Sequence, residues 1–136
     1  MEAKDGDTMK KLIILLLAAL LLTGCGQAKE NDREAVYVSI TAQEAKQIMD
    51  TEEGYIILDV RTQEEYDAGH IPGAILIPYT QIAEKAEEVL TDKDQLILVY
   101  CRSGRRSKIA SEALAELGYT NIKEFGGIID WPYEVE

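Results

Sequence analysis

A chain of 136 residues with a formal net charge of -11 holds enough material for one domain. Its acidity argues against nucleic acid and anionic lipid surfaces as binding partners. The excess of negative charge is expected to favour solubility instead.

The first residues do not read as part of that domain. Glu2, Asp5 and Asp7 suit an export signal poorly, whereas Met9-Lys10-Lys11 supplies a positive start, so Met9 is the expected translation start. The apolar run from Leu12 to Leu22 follows, the short hydrophobic stretch of a signal peptide and too short to span a bilayer stably. It closes on Leu22-Thr23-Gly24-Cys25, which resembles the lipobox of bacterial lipoproteins. That resemblance implies a signal over residues 1–24, lipidation of Cys25, and attachment to the outer face of the cell membrane. Residues 1–24 carry three acids and three bases, so the remainder keeps the charge of -11. With Cys25 acylated, Cys101 is the sole free thiol and no internal disulfide can form. One histidine and one free cysteine also cannot make a zinc site. Residues 25–35 are polar and aperiodic, as expected of a tether, and the folded domain is expected over residues 36–136.

In chain order, Val36 to Ile40 alternates as a strand, and Thr41 with Glu44 forms a capping box that starts a short helix to about Met49. Tyr55 to Leu58 is a nearly continuous apolar run ending at Asp59, the pattern of a buried parallel strand. Ala74 to Ile77, Gln95 to Tyr100 and Asn121 to Phe125 read in the same way. Helical segments are expected at Glu64 to Ala68, Gln81 to Val89 and Arg105 to Leu117, the last stopped by Gly118. Strands alternating with helices predict an α/β fold with a parallel sheet covered on both faces. Neither an internal repeat nor a low-complexity tract is present.

Ligands of such sheets bind beyond the carboxyl ends of the strands, which singles out the loops after Leu58 and Tyr100. The second loop is Cys101-Arg102-Ser103-Gly104-Arg105-Arg106-Ser107. Placed between a buried strand and a helix, its backbone N–H groups can turn around the cysteine sulfur, with Gly104 permitting the tight turn. A thiol at a helix N-terminus beside Arg102, Arg105 and Arg106 is expected to be a thiolate near neutrality. No P-loop or dinucleotide fingerprint follows any strand.

The loop CRSGRRS resembles the active-site loop of the rhodanese family. Leu58-Asp59-Val60-Arg61 with Glu64, Glu65 and Tyr66, then Gly69-His70-Ile71-Pro72-Gly73-Ala74, and finally Phe125-Gly126-Gly127 before Trp131, resemble further family signatures in the right order. Together they cover about Ile40 to Trp131. The resemblance implies a rhodanese-like domain, with a central parallel sheet of about five strands flanked by helices, that moves a sulfane sulfur. Cys101 would attack the outer sulfur of thiosulfate or a related donor, release sulfite, hold a persulfide, and pass the sulfur to a thiol or cyanide. The substrate-binding loop would be Arg102, Ser103, Gly104, Arg105 and Arg106, with Arg102 and Arg105 the substrate contacts and Arg106 turned inward to hold the loop. No cofactor or metal is needed. The partners expected are a small sulfur-containing anion, a thiol acceptor and the membrane through the lipid anchor, with no nucleic acid and a monomeric chain.

Blander roles are expected for several neighbours. Asp59 and Arg61 shape the pocket, pairing with Glu64, Glu65 or loop backbone. His70 fixes a turn, Gly126 and Gly127 allow close backbone approach, and Tyr66, Phe125 and Trp131 belong to the core. Only Pro132 to Glu136 follow Trp131, where a longer tail is common in the family, which leaves a C-terminal contact with the pocket open. Two rival functions stand beside sulfur transfer. One is a non-catalytic binding module of the same fold. The other is a cysteine-dependent phosphatase or arsenate reductase, whose Cys-x5-Arg loop is one residue longer than the Cys-x4-Arg here and commonly follows a histidine, whereas Tyr100 precedes Cys101.

Overall fold

The structure, a computed structural model, describes residues 36–136. The readings placed on residues 1–35, namely the export signal, Cys25 and the tether, lie outside the described residues. No helix among the described residues is long and apolar enough to cross a membrane.

The elements run β1 (Val38–Ser39), α1 (Ala42–Thr51), β2 (Ile56–Asp59), α2 (Gln63–Ala68), β3 (Ile75–Leu76), a 3-10 turn (Tyr79–Gln81), α3 (Ile82–Val89), β4 (Ile97–Cys101), α4 (Arg105–Glu116), β5 (Ile122–Gly127) and a second 3-10 turn (Ile128–Asp130). The five strands form one parallel sheet in the order β1-β5-β4-β2-β3, with helices on both faces.

Strand β4 is central and buried at every position, which its unbroken run of apolar residues requires. Side chains alternate across a strand, so Ile97, Val99 and Cys101 join the core beneath α3 and α4. Leu98 and Tyr100 join the opposite core with Ala42 and Ala45 of α1, Phe125 and Trp131. Cys101 therefore arrives at the carboxyl end of the central strand on the α4 side. A register irregularity between Val99 and Cys101 marks where the chain leaves the ladder for the loop.

The edge strands are shorter than the sequence suggests. β1 keeps two paired residues of an expected five because β5 is its sole neighbour and Val38 and Ser39 are exposed. The Thr41 cap forms as a reciprocal box with Glu44, Glu44 N–H donating to Thr41 Oγ1 at 3.1 Å and Thr41 N–H to Glu44 Oε2 at 2.8 Å. Thr62 and Glu65 build a second box, which starts α2 one residue earlier than expected. The residues after Trp131 fold back, and Glu136 and His70 exchange backbone hydrogen bonds of 2.8 and 2.9 Å. The short C-terminal segment thus reaches the carboxyl end of the sheet.

Candidate active site

The loop after β4 closes around one sulfur. Gly104, at φ +106, is the N-cap of α4 and sits in the left-handed region that favours glycine. This conformation turns its N–H back onto Cys101 Sγ at 3.0 Å. The Cys101 side chain is 1 % exposed. From below, Gly127 of β5 supports the loop, and a Cβ built there would lie 1.8 Å from the Arg102 carbonyl oxygen. No residue but glycine fits beneath that peptide.

Burial alone pushes the Cys101 thiol up, and it is the largest single influence. The Ser107 hydroxyl and the N–H groups of Ser107, Gly104 and Ser103 outweigh it together and bring the thiol below its ordinary value. The N–H cradle read in the sequence is thus among the causes, and the charge of Arg106 bears on the sulfur as well. Arg106 forms a fork with Glu65, at 2.6 Å from Nη1 to Oε1 and 2.9 Å from Nη2 to Oε2, so its charge is largely compensated. Arg106 holds the loop against α2; a bidentate pair fixes geometry in a way that a single bond does not. The same contact holds the Glu65 carboxyl down at about 2. Arg102 and Arg105 are exposed, and neither makes an ion pair with another described residue. Ser103 is exposed with its N–H directed to the sulfur.

Asp59 and Arg61 are both buried and pair with each other rather than with Glu64 or Glu65. Arg61 Nη2 also donates to the Gly69 carbonyl at 2.7 Å, and the Tyr100 hydroxyl donates to Asp59 Oδ2 at 2.7 Å while accepting from Ile71 N–H at 3.1 Å. Burial, then the Asp59 hydrogen bond, push the Tyr100 phenol well up. His70 Nδ1–H donates to the Tyr66 carbonyl at 2.9 Å and its ring stacks on Tyr66, so both serve the turn that follows α2. Phe125 and Trp131 are buried.

Beside the loop lies a cavity of about 430 Å³, lined in part by Arg61, Arg102, Trp131, Tyr133 and Val135. Cys101 is not part of its wall, which the next residue, Arg102, joins. Two groups at this site escape a motif reading. Ser107 Oγ lies 3.5 Å from Cys101 Sγ, and Glu124, 2 % exposed, accepts from Ser107 Oγ at 2.7 Å. The sequence marks Glu124 only as an acid within an expected strand, beside Lys123. No group of three or more metal-ligating side chains occurs among the described residues.

A family model described as a rhodanese-like domain matches residues 41–132. The chain belongs to the rhodanese-like domain family. Among curated rhodanese relatives, it is 41% identical over 73 residues to the thiosulfate sulfurtransferase PspE of Escherichia coli, covering 54% of this chain and 70% of that one. It is 36% identical over 88 residues to a sulfurtransferase of Allochromatium vinosum, covering 64% and 79%. A solved rhodanese-related protein of Thermoplasma volcanium superposes with a TM-score of 0.64 at 33% identity, over 74% of this chain and 98% of that one. Of three further relatives the chain spans 64%, 21% and 27% of the length. Membership of this family, with its sulfurtransferase relatives, supports sulfur transfer in general as the class of activity.

Proposed function

We propose that the protein is a thiosulfate-type sulfurtransferase working through a persulfide on Cys101. The observation that carries this reading is the sulfur itself, held under backbone N–H groups that lower its thiol. As a thiolate, Cys101 attacks the outer sulfur of thiosulfate. A new S–S bond forms, the old one breaks, and its electron pair leaves on sulfite. The anionic terminal sulfur is then stabilised by the loop N–H groups that converge on Cys101 Sγ before the reaction. An acceptor thiolate or cyanide then attacks that terminal sulfur and restores the Cys101 thiolate. Exposed Arg102 and Arg105 draw the anionic donor toward a protein that is otherwise strongly acidic. Thiosulfate is favoured as donor because the Escherichia coli relative bears that activity in its name. A loop of Cys-x4-Arg encloses one sulfur atom more closely than a phosphate.

The Cys25 sequence extends the proposal to an extracytoplasmic, lipid-anchored enzyme, and labelled fatty acid is expected on the wild type but not on Cys25→Ala. The catalytic reading is tested by mixing the reduced chain with thiosulfate and cyanide. Sulfite and thiocyanate are expected in equal amounts from the wild type and at background from Cys101→Ser. A folded wild type that yields neither product overturns the reading.

A further inference from the structure

We infer that Glu124 is a positioning residue for Cys101, which claims the single hydroxyl hydrogen of Ser107 and thereby limits what that hydroxyl can give the sulfur. The inference rests on the reading of Cys101 as the nucleophile. Glu124 is nearly fully buried on β5, where a carboxylate is costly unless it is hydrogen-bonded. All its partners donate: Ser39 Oγ to Oε2 at 3.0 Å, Ser107 Oγ to Oε1 at 2.7 Å, and Gly126 N–H to Oε1 at 2.8 Å. This is a satisfied acceptor placed one side chain away from the reacting atom.

Ser107 has one hydrogen to give and several acceptors within reach. The Gly104 carbonyl is at 2.9 Å, the Gly126 carbonyl at 3.4 Å, Glu124 Oε1 at 2.7 Å and Cys101 Sγ at 3.5 Å. A close carboxylate outcompetes a distant sulfur for a shared hydrogen. The sulfur then faces a lone pair of Ser107 Oγ, to which the protonated thiol can donate. Backbone N–H groups thus serve the thiolate in full, whereas the help that the Ser107 hydroxyl gives it is limited by Glu124.

Arg106 bears on Cys101 through its charge, but no other charged group among the described residues accepts the Ser107 hydrogen. Arg106 of α4 is paired with Glu65 of α2, and Asp59 of β2 with Arg61 and Tyr100. Arg102 and Arg105 are exposed, and Tyr79 of the first 3-10 turn bears on Arg106. Tyr37, next to β1, lies near both Glu124 and Glu112 of α4, and burial, then these two acids, push its phenol up.

Glu124→Gln replaces the carboxylate with a neutral, weaker acceptor while keeping the shape of the side chain. The thiolate can then compete for the serine hydrogen, and the Cys101 titration midpoint is expected to fall by about one pH unit, a roughly tenfold gain in alkylation rate below the midpoint. The measurement is iodoacetamide alkylation of the full chain against pH, followed on the Cys101 peptide by mass so that Cys25 is counted apart. In a Ser107→Ala background the Glu124→Gln shift is expected to shrink to less than half, because only the lost charge remains. Equal shifts in both backgrounds overturn the inference. Should Glu124→Gln not fold, Ser107→Ala alone decides: no rise in the midpoint supports withholding by Glu124, and a rise of about one unit shows that the hydroxyl already serves the sulfur. Thiol acidity is read without sulfur transfer, so these outcomes are separate from the fate of the proposed activity.

Discussion

Gly127→Ala concentrates the loop argument in one methyl group. The added Cβ would lie 1.8 Å from the Arg102 carbonyl oxygen, 2.1 Å from its carbonyl carbon and 2.4 Å from Ser103 N. Ordinary contact begins near 3.4 Å, so the peptide joining Arg102 and Ser103 must move by about 1.6 Å. Backbone is the obstacle here, and no flexible side chain can yield in its place. That peptide bears one of the N–H groups that lower the Cys101 thiol, and its carbonyl accepts from Ile129 N–H at 3.2 Å. Overpacking of this kind costs about 1–3 kcal/mol of stability. Displacement of a reacting group by about 1 Å can cost on the order of a hundredfold in rate. The variant is therefore expected to remain folded by circular dichroism while thiocyanate formation falls about a hundredfold and the Cys101 alkylation midpoint rises. A folded Gly127→Ala protein within threefold of wild-type turnover would refute the claim that loop position governs the chemistry.

Three further outcomes follow from the surroundings of the loop. Glu65 is held at about 2 against an ordinary 4.5, first by the Arg106 hydrogen bonds; at roughly 1.4 kcal/mol per unit, reduced by solvent around a partly exposed pair, this contributes about 1–2 kcal/mol. Because the folded value is depressed, that stability is present above pH 4.5 and lost as pH falls toward 2, so the urea midpoints of wild type and Glu65→Gln are expected to converge over that window; a gap independent of pH contradicts the assignment. Tyr100→Phe leaves the Ile71 N–H buried without its acceptor and is expected to cost about 1–3 kcal/mol, read as a lower Tm. Arg102→Ala is expected to reduce kcat/KM for thiosulfate severalfold at low ionic strength and much less at high salt, and a salt-independent loss points to a direct contact instead.

Local signals made Cys101 and its loop legible. A buried strand running into Cys101, Gly104 at the turn and a helix from Arg105 are each short-range features, and all three are present. The Thr41 box with Glu44 was legible for the same reason. The equivalent spacing of Thr62 and Glu65 carried the same signal, and its box starts α2 at Gln63. What pairs with what was less legible, because partners are chosen in three dimensions. Arg106 and Glu65 are 41 residues apart, and Asp59 satisfies Arg61 at the end of its own strand, where more distant acids had seemed available. Glu124 has no motif to mark it within the expected strand Asn121 to Phe125; only the packing of α4 over β5 brings it to Ser107. Tyr133 and Val135 enter the cavity wall because the tail folds back on His70, a contact to which no periodicity points.

The most direct test of sulfur transfer through Cys101 is the mass of its peptide. The reduced full chain would be incubated with thiosulfate, digested without reductant, and compared with Cys101→Ser. The Cys101 peptide is expected to gain one sulfur atom that cyanide removes, with no gain elsewhere in either protein. A folded wild type whose Cys101 alkylates readily yet takes up no sulfur would contradict the thiosulfate persulfide account.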